Sequence, residues 1–240
     1  MINKPFSQIG LDRSIPHIGV IMEKTDTSEY PRYELPPGFS FSRYRPGFEN
    51  LWARLHFEVE QVDSLDEAET VFKREFIDGK GMDWSDKTIE RLESVNIEAS
   101  PCFKALNEKM IFVMDSNNDL AGTGSIWDGK HFGEVRQRLH WITVSPKYQN
   151  KGISKAIVSK LLDIYNDLGY SGYIYLTSQT WSYKALNVYA HFGFRPYMGD
   201  RPKNWRGLEP CNYTEKNAEA WNIINEKISE YYNCKGNDPW

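Results

Sequence analysis

A chain of 240 residues with a net charge of −4, 40% hydrophobic and 26% charged, has the composition of a soluble globular protein and fits one enlarged domain. The acidic balance argues against a nucleic-acid partner, whose binding domains are strongly basic. No signal-like apolar core opens the sequence and no run approaches the ~18 apolar residues of a membrane span, so the cytoplasm is the expected compartment and no membrane partner is expected. Cys102, Cys211 and Cys234 are an odd number without CxxC spacing, which suits a reducing compartment and offers no zinc-type ligand set, so no metal is expected.

Residues 1–13 show no periodicity and read as a tail. Ile15–Met22, apolar and β-branched, predicts a strand. Glu23–Gly38, punctuated by Pro31, Pro36 and Pro37, predicts a connector, so 1–38 forms an N-terminal extension. Phe39–Tyr44 alternates as a half-buried strand does. Arg45-Pro46-Gly47 then turns the chain into a helix carrying Leu51, Leu55, Val59 and Val62. Asp63 or Ser64 caps a second helix with Leu65, Ala68, Phe72 and Phe76 inward.

Asp78–Asn107 is the least regular stretch, with Trp84, helical character around Lys87–Val95, and Pro101. Its Asp78, Asp83, Asp86, Glu90, Glu93 and Glu98 read first as a solvated face and second as a field that draws in a cationic amine. Met110–Asp115 and Leu120–Trp127 predict a hairpin closed by Ser116–Asp119. Gly122-Thr123-Gly124 lies inside the second strand and opens no helix, so it receives no phosphate role. Residues 128–137, including His131, read as a loop.

Arg138–Val144 predicts a strand, Ser145–Tyr148 a turn, and Gln149–Ser154 a loop. Ile153, Ile157, Leu161, Ile164 and Leu168 then share one helical face, and Gly169 stops that helix. Tyr173–Ser178 is a further strand and Ser182–Phe192 a further helix, closed by Gly193. Two strands joined by a crossover helix make a βαβ unit. Arg195–Met198 predicts a short strand, followed by a basic stretch (Arg201, Lys203, Arg206). The helix Thr214–Tyr232 ends the chain, with Trp221, Ile224, Ile228 and Tyr231 on one face. Residues 199–240 are expected to pack on the domain 39–198.

A helix start leaves unpaired backbone N–H groups and a partial positive charge, which together make an anion site. Gly152 stands at that point, and Lys147, Lys151 and Lys155 add charge around it. The GK[ST] of a nucleoside-triphosphate loop is missing, as are GxSxG and HExxH. Cys102 could serve as a nucleophile only beside a histidine that the sequence does not reveal.

Gln149-x-x-Gly152-x-Ser154 after a strand resembles the Q/R-x-x-G-x-G/A acyl-CoA loop of the GNAT (GCN5-related N-acetyltransferase) superfamily. Ser182-x-x-Ala185-x-x-x-Tyr189-x-x-x-Gly193-Phe194 is similar to that family's N-x-x-A-x-x-x-Y-x-x-x-G-F helix. The sequence departs from the pattern at Ser154, where Gly or Ala is usual, and at Ser182, where Asn usually contacts the pantetheine arm. The resemblance covers residues 39–198. It implies an α/β (α+β) fold with a mixed, mostly antiparallel six- to seven-stranded sheet, splayed at the cofactor strand and flanked by helices on both faces.

It further implies acetyl-CoA as acyl donor, held by Ile142, Thr143, Val144, Gln149, Asn150, Lys151, Gly152, Ile153, Ser154, Lys155 and Ser182. The acceptor implied is an amine of a small molecule or peptide, attacked directly, with the 78–107 region helping to shape its site. A homodimer is compatible with this reading. The main-chain N–H of Ile142 would stabilise the oxyanion, and Val144 would pair with pantetheine amides. Tyr189 matches the tyrosine that protonates the departing thiolate, and as an alternative it packs beneath the sheet. An alkylammonium of pKa about 10.4 needs about 4–5 kcal/mol to be neutralised at pH 7, so a base or a water chain matters. His140 is the candidate base, because imidazole titrates near neutrality and arylalkylamine acetyltransferases carry a histidine at the matching position. Its alternative is a partly buried histidine bonded to a neighbour. By the two-residue period, Arg138, His140, Ile142 and Val144 share one strand face. Leu186 and Phe194 read as core. A non-catalytic acyl-CoA sensor is the competing reading of the whole.

Overall fold

A computed structural model describes residues 11–81, 86–92 and 96–233, with side chains to residue 230. Asp83, Trp84, Glu93, Cys234, the Tyr231 side chain and residues 1–10 of the expected tail lie outside the described residues. Seven strands are present: β1 Gly19–Lys24, β2 Phe39–Arg43, β3 Met110–Asp115, β4 Leu120–Gly129, β5 Arg136–Val144, β6 Ile174–Gln179 and β7 Arg195–Pro196. The helices are α1 Phe48–Glu58, α2 Leu65–Phe72, α3 Cys102–Lys109, α4 Ile153–Asp167, α5 Tyr183–His191 and α6 Tyr213–Asn233. No described helix is long and apolar enough to cross a membrane.

The strands form one sheet in the order β2-β3-β4-β5-β6-β1-β7. The β1–β6, β1–β7, β2–β3 and β3–β4 pairs are antiparallel. β5 and β6 run parallel, with Arg138 opposite Tyr175 and Leu139 opposite Leu176, as the crossover α4 requires. The mixed, mostly antiparallel seven-stranded sheet is the one expected.

The chain divides into two compact units. The first comprises Met1–Arg32, Ile126–His140 and Tyr165–Trp240. Here β1 starts at Gly19 rather than Ile15, because Pro16 has no N–H to give a ladder. Residues 12–18 instead strap the turn between β6 and α5. The Asp12 N–H donates to Trp181 O (2.9 Å), Trp181 Nε1 donates to Ile15 O (2.7 Å), and the Ile18 N–H donates to Thr180 Oγ1 (3.1 Å). The His17 ring lies edge-on to Trp181 at 4.6 Å. Met22, Leu176, Leu186, Phe192, Phe194, Trp221, Ile224 and Ile228 are buried in this unit, so Leu186 and Phe194 are core as expected.

The second unit comprises Tyr33–Ser125 and Trp141–Ile164. Gly47, at φ +93°, opens α1, and Ser64 rather than Asp63 caps α2 by accepting the Glu67 N–H at 3.1 Å. α1 stops at Glu58, so Val59 and Val62 are buried just beyond it. α2 runs into a π-helical turn, Lys73–Ile77. Tyr44, Trp52, Phe72, Phe76, Leu106 and Phe112 are fully buried. α3 was not foreseen: its eight residues bury only Leu106, too little for a periodic signal. Residues 86–92 are not helical. Three carboxylates here are paired with cations, with Arg74 bonding Asp86 and Glu90 at 2.8 Å each and Lys73 bonding Glu90 (2.7 Å) and Asp78 (3.0 Å). Asp86 stands 45% exposed, while Asp78 and Glu90 are partly covered.

Gly122 and Gly124 let α4 lie close against the sheet. A Cβ on Gly124 would stand 2.9 Å from Ile142 Cγ1, 3.0 Å from Ile157 Cγ2 and 3.1 Å from Leu161 Cδ1. One on Gly122 would meet Thr143 O at 2.9 Å. The expected absence of a phosphate role for this pair has a packing reason. Gly124→Ala is expected to cost ~1–3 kcal/mol of stability by overpacking. Thermal denaturation reads this directly, and an unchanged midpoint would mean that α4 backs away freely.

Candidate functional site

The centre of β5 is not a regular strand. Trp141 has φ +49°, a region that bulky L-residues enter only when their surroundings hold them there. Its indole stands edge-on to Trp52 (5.2 Å, 71°) and to the imidazole of His56 (5.1 Å, 89°). Trp52 and His56 are themselves one turn apart on α1, with ring centres 3.8 Å apart and planes tilted by 34°. Of the four residues expected on one strand face, Arg138 and His140 belong to the first unit and Ile142 and Val144 to the second. Arg138 touches His140. Ile142 and Val144 both point at the packing around Gly122, Gly124 and Ile157. Thr143 points elsewhere, and its hydroxyl donates to Gln61 Oε1 at 3.2 Å. Gln61 Oε1 also accepts from His56 Nδ1, which puts the proton of the His56 ring on that nitrogen.

The segment after β5 is tied at several points within its own unit. The Ser145 N–H donates to Ala121 O (2.9 Å) and its hydroxyl to Glu58 Oε2 (3.2 Å). Pro146–Tyr148 is one 3₁₀ turn, and the Tyr148 hydroxyl donates to Asp115 Oδ2 at 2.6 Å. That bond, the N–H groups of Asp119 and Asn117, and the Lys147 charge hold the Asp115 carboxyl below the usual range. Gln149 Nε2 donates back to Val144 O (3.3 Å), which leaves its second amide hydrogen and its carbonyl oxygen for other partners.

Asn150 (φ +63°) and Gly152 (φ +83°) then turn the chain into α4. The Gly152 carbonyl accepts the Ala156 N–H at 3.1 Å, which makes Gly152 the first capping position. The N–H groups of Ile153, Ser154 and Lys155 form the first turn, whose donors have no partner within the helix. A Cβ on Gly152 would meet nothing within 4 Å, so the loop is open at that point.

Of the nearby lysines, Lys147 is paired with Asp119 (3.2 Å). Lys151 lies over the rings of Phe39 (5.8 Å) and Tyr148 (5.6 Å), and Lys155 over Tyr33 (4.9 Å). Neither Lys151 nor Lys155 has a carboxylate within ion-pair distance among the described residues. Cation–π contacts at such exposed sites are worth only ~0.5–1 kcal/mol, and like-signed charge at the positive end of a fifteen-residue helix is unfavourable. The arrangement is suited to an anion.

Ile142, Thr143, Val144 and Gln149–Lys155 thus lie together in one unit, while His140, Ser182 and Tyr189 belong to the other. His140 is buried, with its Nε2 3.0 Å from Arg138 Nη2. A guanidinium only donates, so Nε2 accepts, and the ring is neutral while that bond lasts. Ser182 precedes α5, and its hydroxyl donates to Gln179 Oε1 (3.2 Å), an oxygen that also accepts from Ser178 (3.2 Å). Tyr189 is buried with its ring edge-on to Phe194 (6.2 Å), and burial pushes its phenol well above the ordinary tyrosine range. The phenol stays protonated at any ordinary pH. Cys102 neighbours the Ser100 hydroxyl (3.0 Å).

Trp141, Trp52 and His56 were not foreseen as a functional group. The sequence shows His56 only as one residue in an amphipathic helix, and nothing in the strand pattern marks a positive φ at Trp141. Among the described residues, no cluster of three or more His, Cys, Asp or Glu side chains is placed to hold a metal ion.

Residues 68–194, more than half of the chain, match the family model described as "Acetyltransferase (GNAT) family". No curated protein matches the chain. Among solved structures, a GCN5-related N-acetyltransferase from Sphaerobacter thermophilus is similar at 14% identity and a TM-score of 0.51, over 80% of this chain and 51% of the other. A GNAT-family acetyltransferase from Colwellia psychrerythraea is similar at 10% identity and a TM-score of 0.50, over 75% of this chain and 53% of the other. The chain thus spans about half the length of these structures, and at such identities the likeness is one of fold.

Proposed function

The chain belongs to the GNAT acetyltransferase family, and from that premise we propose that it moves an acetyl group from acetyl-CoA directly to an amine of a small molecule or peptide. The observation that carries this reading is the open turn at Gly152, with two acid-free lysines beside an unpaired first helical turn. The residues present fit the carrier. The diphosphate would take the N–H groups of 152–155 with Lys151, and the pantetheine amides would pair with Val144. Acetyl-CoA supplies the activated thioester, and the protein supplies placement and proton control.

Ile142 is proposed to give its main-chain N–H to the carbonyl oxygen, and Tyr189 its phenolic proton to the sulfur. Because burial raises the Tyr189 phenol, full proton transfer to a thiolate of ordinary pKa about 8.5 is uphill. Tyr189 therefore helps mainly by hydrogen bonding, at the low end of acid catalysis. His140 is proposed as the base. It takes the amine proton on Nε2 only after Arg138 swings off that nitrogen, so the two side chains act as one switch.

The test is thiol release from acetyl-CoA against a panel of amines, followed with a chromogenic thiol reagent. At least one amine should accelerate release in the wild type. Tyr189→Phe should lower kcat about 100-fold with little change in KM for acetyl-CoA, the low end of the range for acid catalysis. The wild-type rate should show no alkaline fall from Tyr189 up to its ordinary pKa of 10.0, since the raised phenol keeps its proton beyond that point. If acetyl-CoA raises the melting temperature but no amine stimulates release, the protein is an acyl-CoA sensor instead.

A further inference from the structure

The connector residue Tyr33 lies outside the family-matched segment 68–194, yet it is fixed to the outer side of α4. Its N–H donates to the buried Ser159 hydroxyl at 2.9 Å, and its ring remains 38% exposed. Ser159 is one turn along α4 from Lys155, whose ammonium rests 4.9 Å from the centre of that ring. An exposed aromatic face, anchored through its backbone beside a lysine without an acid partner, is the pairing that reads a nucleotide: a flat apolar face for a base and a mobile cation for a phosphate.

We propose that Tyr33 and Lys155 form the subsite for the nucleotide end of coenzyme A, the ring stacking on the purine and the ammonium taking the ribose 3′-phosphate. The proposal rests on the coenzyme A reading of the Gly152 loop. In the unliganded protein Lys155 covers the Tyr33 face. The incoming phosphate draws the ammonium off the ring, since a doubly charged oxyanion outcompetes a π-face, and the uncovered face is then taken by the base. Base and phosphate are thereby recognised together. Tyrosine at position 33 would thus sort ligands by what lies beyond the diphosphate, which the loop itself cannot sense.

Calorimetry with coenzyme A, 3′-dephospho-coenzyme A and 4′-phosphopantetheine tests this on the wild type and on Tyr33→Leu, Tyr33→Phe and Lys155→Met, with melting temperatures as the folding check. Tyr33→Leu should weaken coenzyme A and its dephospho form about 10-fold and leave phosphopantetheine unchanged, while Tyr33→Phe retains wild-type affinity. Lys155→Met should weaken coenzyme A by roughly fivefold more than it weakens the dephospho form. Equal losses on all three ligands, or none, overturn the subsite while leaving the loop intact. Absence of binding of any of the three to the wild type overturns the underlying cofactor reading instead.

Discussion

Gly152→Val is expected to lower affinity for coenzyme A by at least about 100-fold, well beyond what its loss of melting temperature from backbone strain explains. Two effects act in the same direction. At φ +83° a side chain adds strain of ~1–3 kcal/mol, worse for a β-branched residue, and the peptide relieves it by rotating its N–H away from the bound anion. The Cβ also enters the open space that the ligand needs. No protein atom lies within 4 Å of that Cβ, so the fold bears only the backbone strain and no clash. Gly124→Ala is the contrasting case, harmful to stability through packing alone and remote from the loop's donors. Calorimetry and thermal denaturation on both variants separate the two glycines. Unchanged coenzyme A affinity in Gly152→Val would sink the loop assignment.

Trp141→Ala is expected to lower kcat for acetyl transfer by roughly 30- to 100-fold while changing coenzyme A affinity less than threefold, because a misaimed oxyanion donor costs ~10²–10³ at its most severe. The indole, clamped by Trp52 and His56, holds a backbone angle that the strand would otherwise relax, and the next peptide N–H is that of Ile142. Alanine keeps the unfavourable φ and loses the clamp. Glycine loses the clamp but tolerates the angle, so Trp141→Gly should recover part of the lost rate. Steady-state kinetics on the two variants, with stability measured alongside, decides this. If glycine is no better than alanine, the rate depends on the indole itself and not on the backbone it holds.

What could be read from the sequence follows from how local each signal is. The hairpin at Ser116–Asp119 was legible because Asp115 accepts the N–H groups of Asn117 and Asp119 through its own side chain and Asn118 takes φ +62°. The helix after Gly152 was legible from its periodicity, although Leu168 falls just past its end and is exposed. The ion pairs of Asp78, Asp86 and Glu90 were not legible because their partners, Lys73 and Arg74, lie on the preceding π-turn, and no spacing rule links the two. The positive φ at Trp141 was invisible for a similar reason. Trp141 departs from the strand angle because of helix α1, more than eighty residues earlier in the chain. Tyr33, set in a proline-rich connector, looked like linker until Ser159 tied it to α4.

Strand β1 has a consequence for how the chain is made. It is synthesised first, yet in the finished sheet it is wedged between β6 and β7, with Gly19 opposite Gln179 and Met22 opposite Pro196. A nascent chain must therefore carry the apolar Gly-Val-Ile-Met segment unpaired until β6 and β7 have left the ribosome. Closing so long a loop is slow, so folding is governed by this late, distant pairing rather than by the early helices. During that interval the segment is an unpaired apolar strand, a kind of surface on which wrong pairing starts.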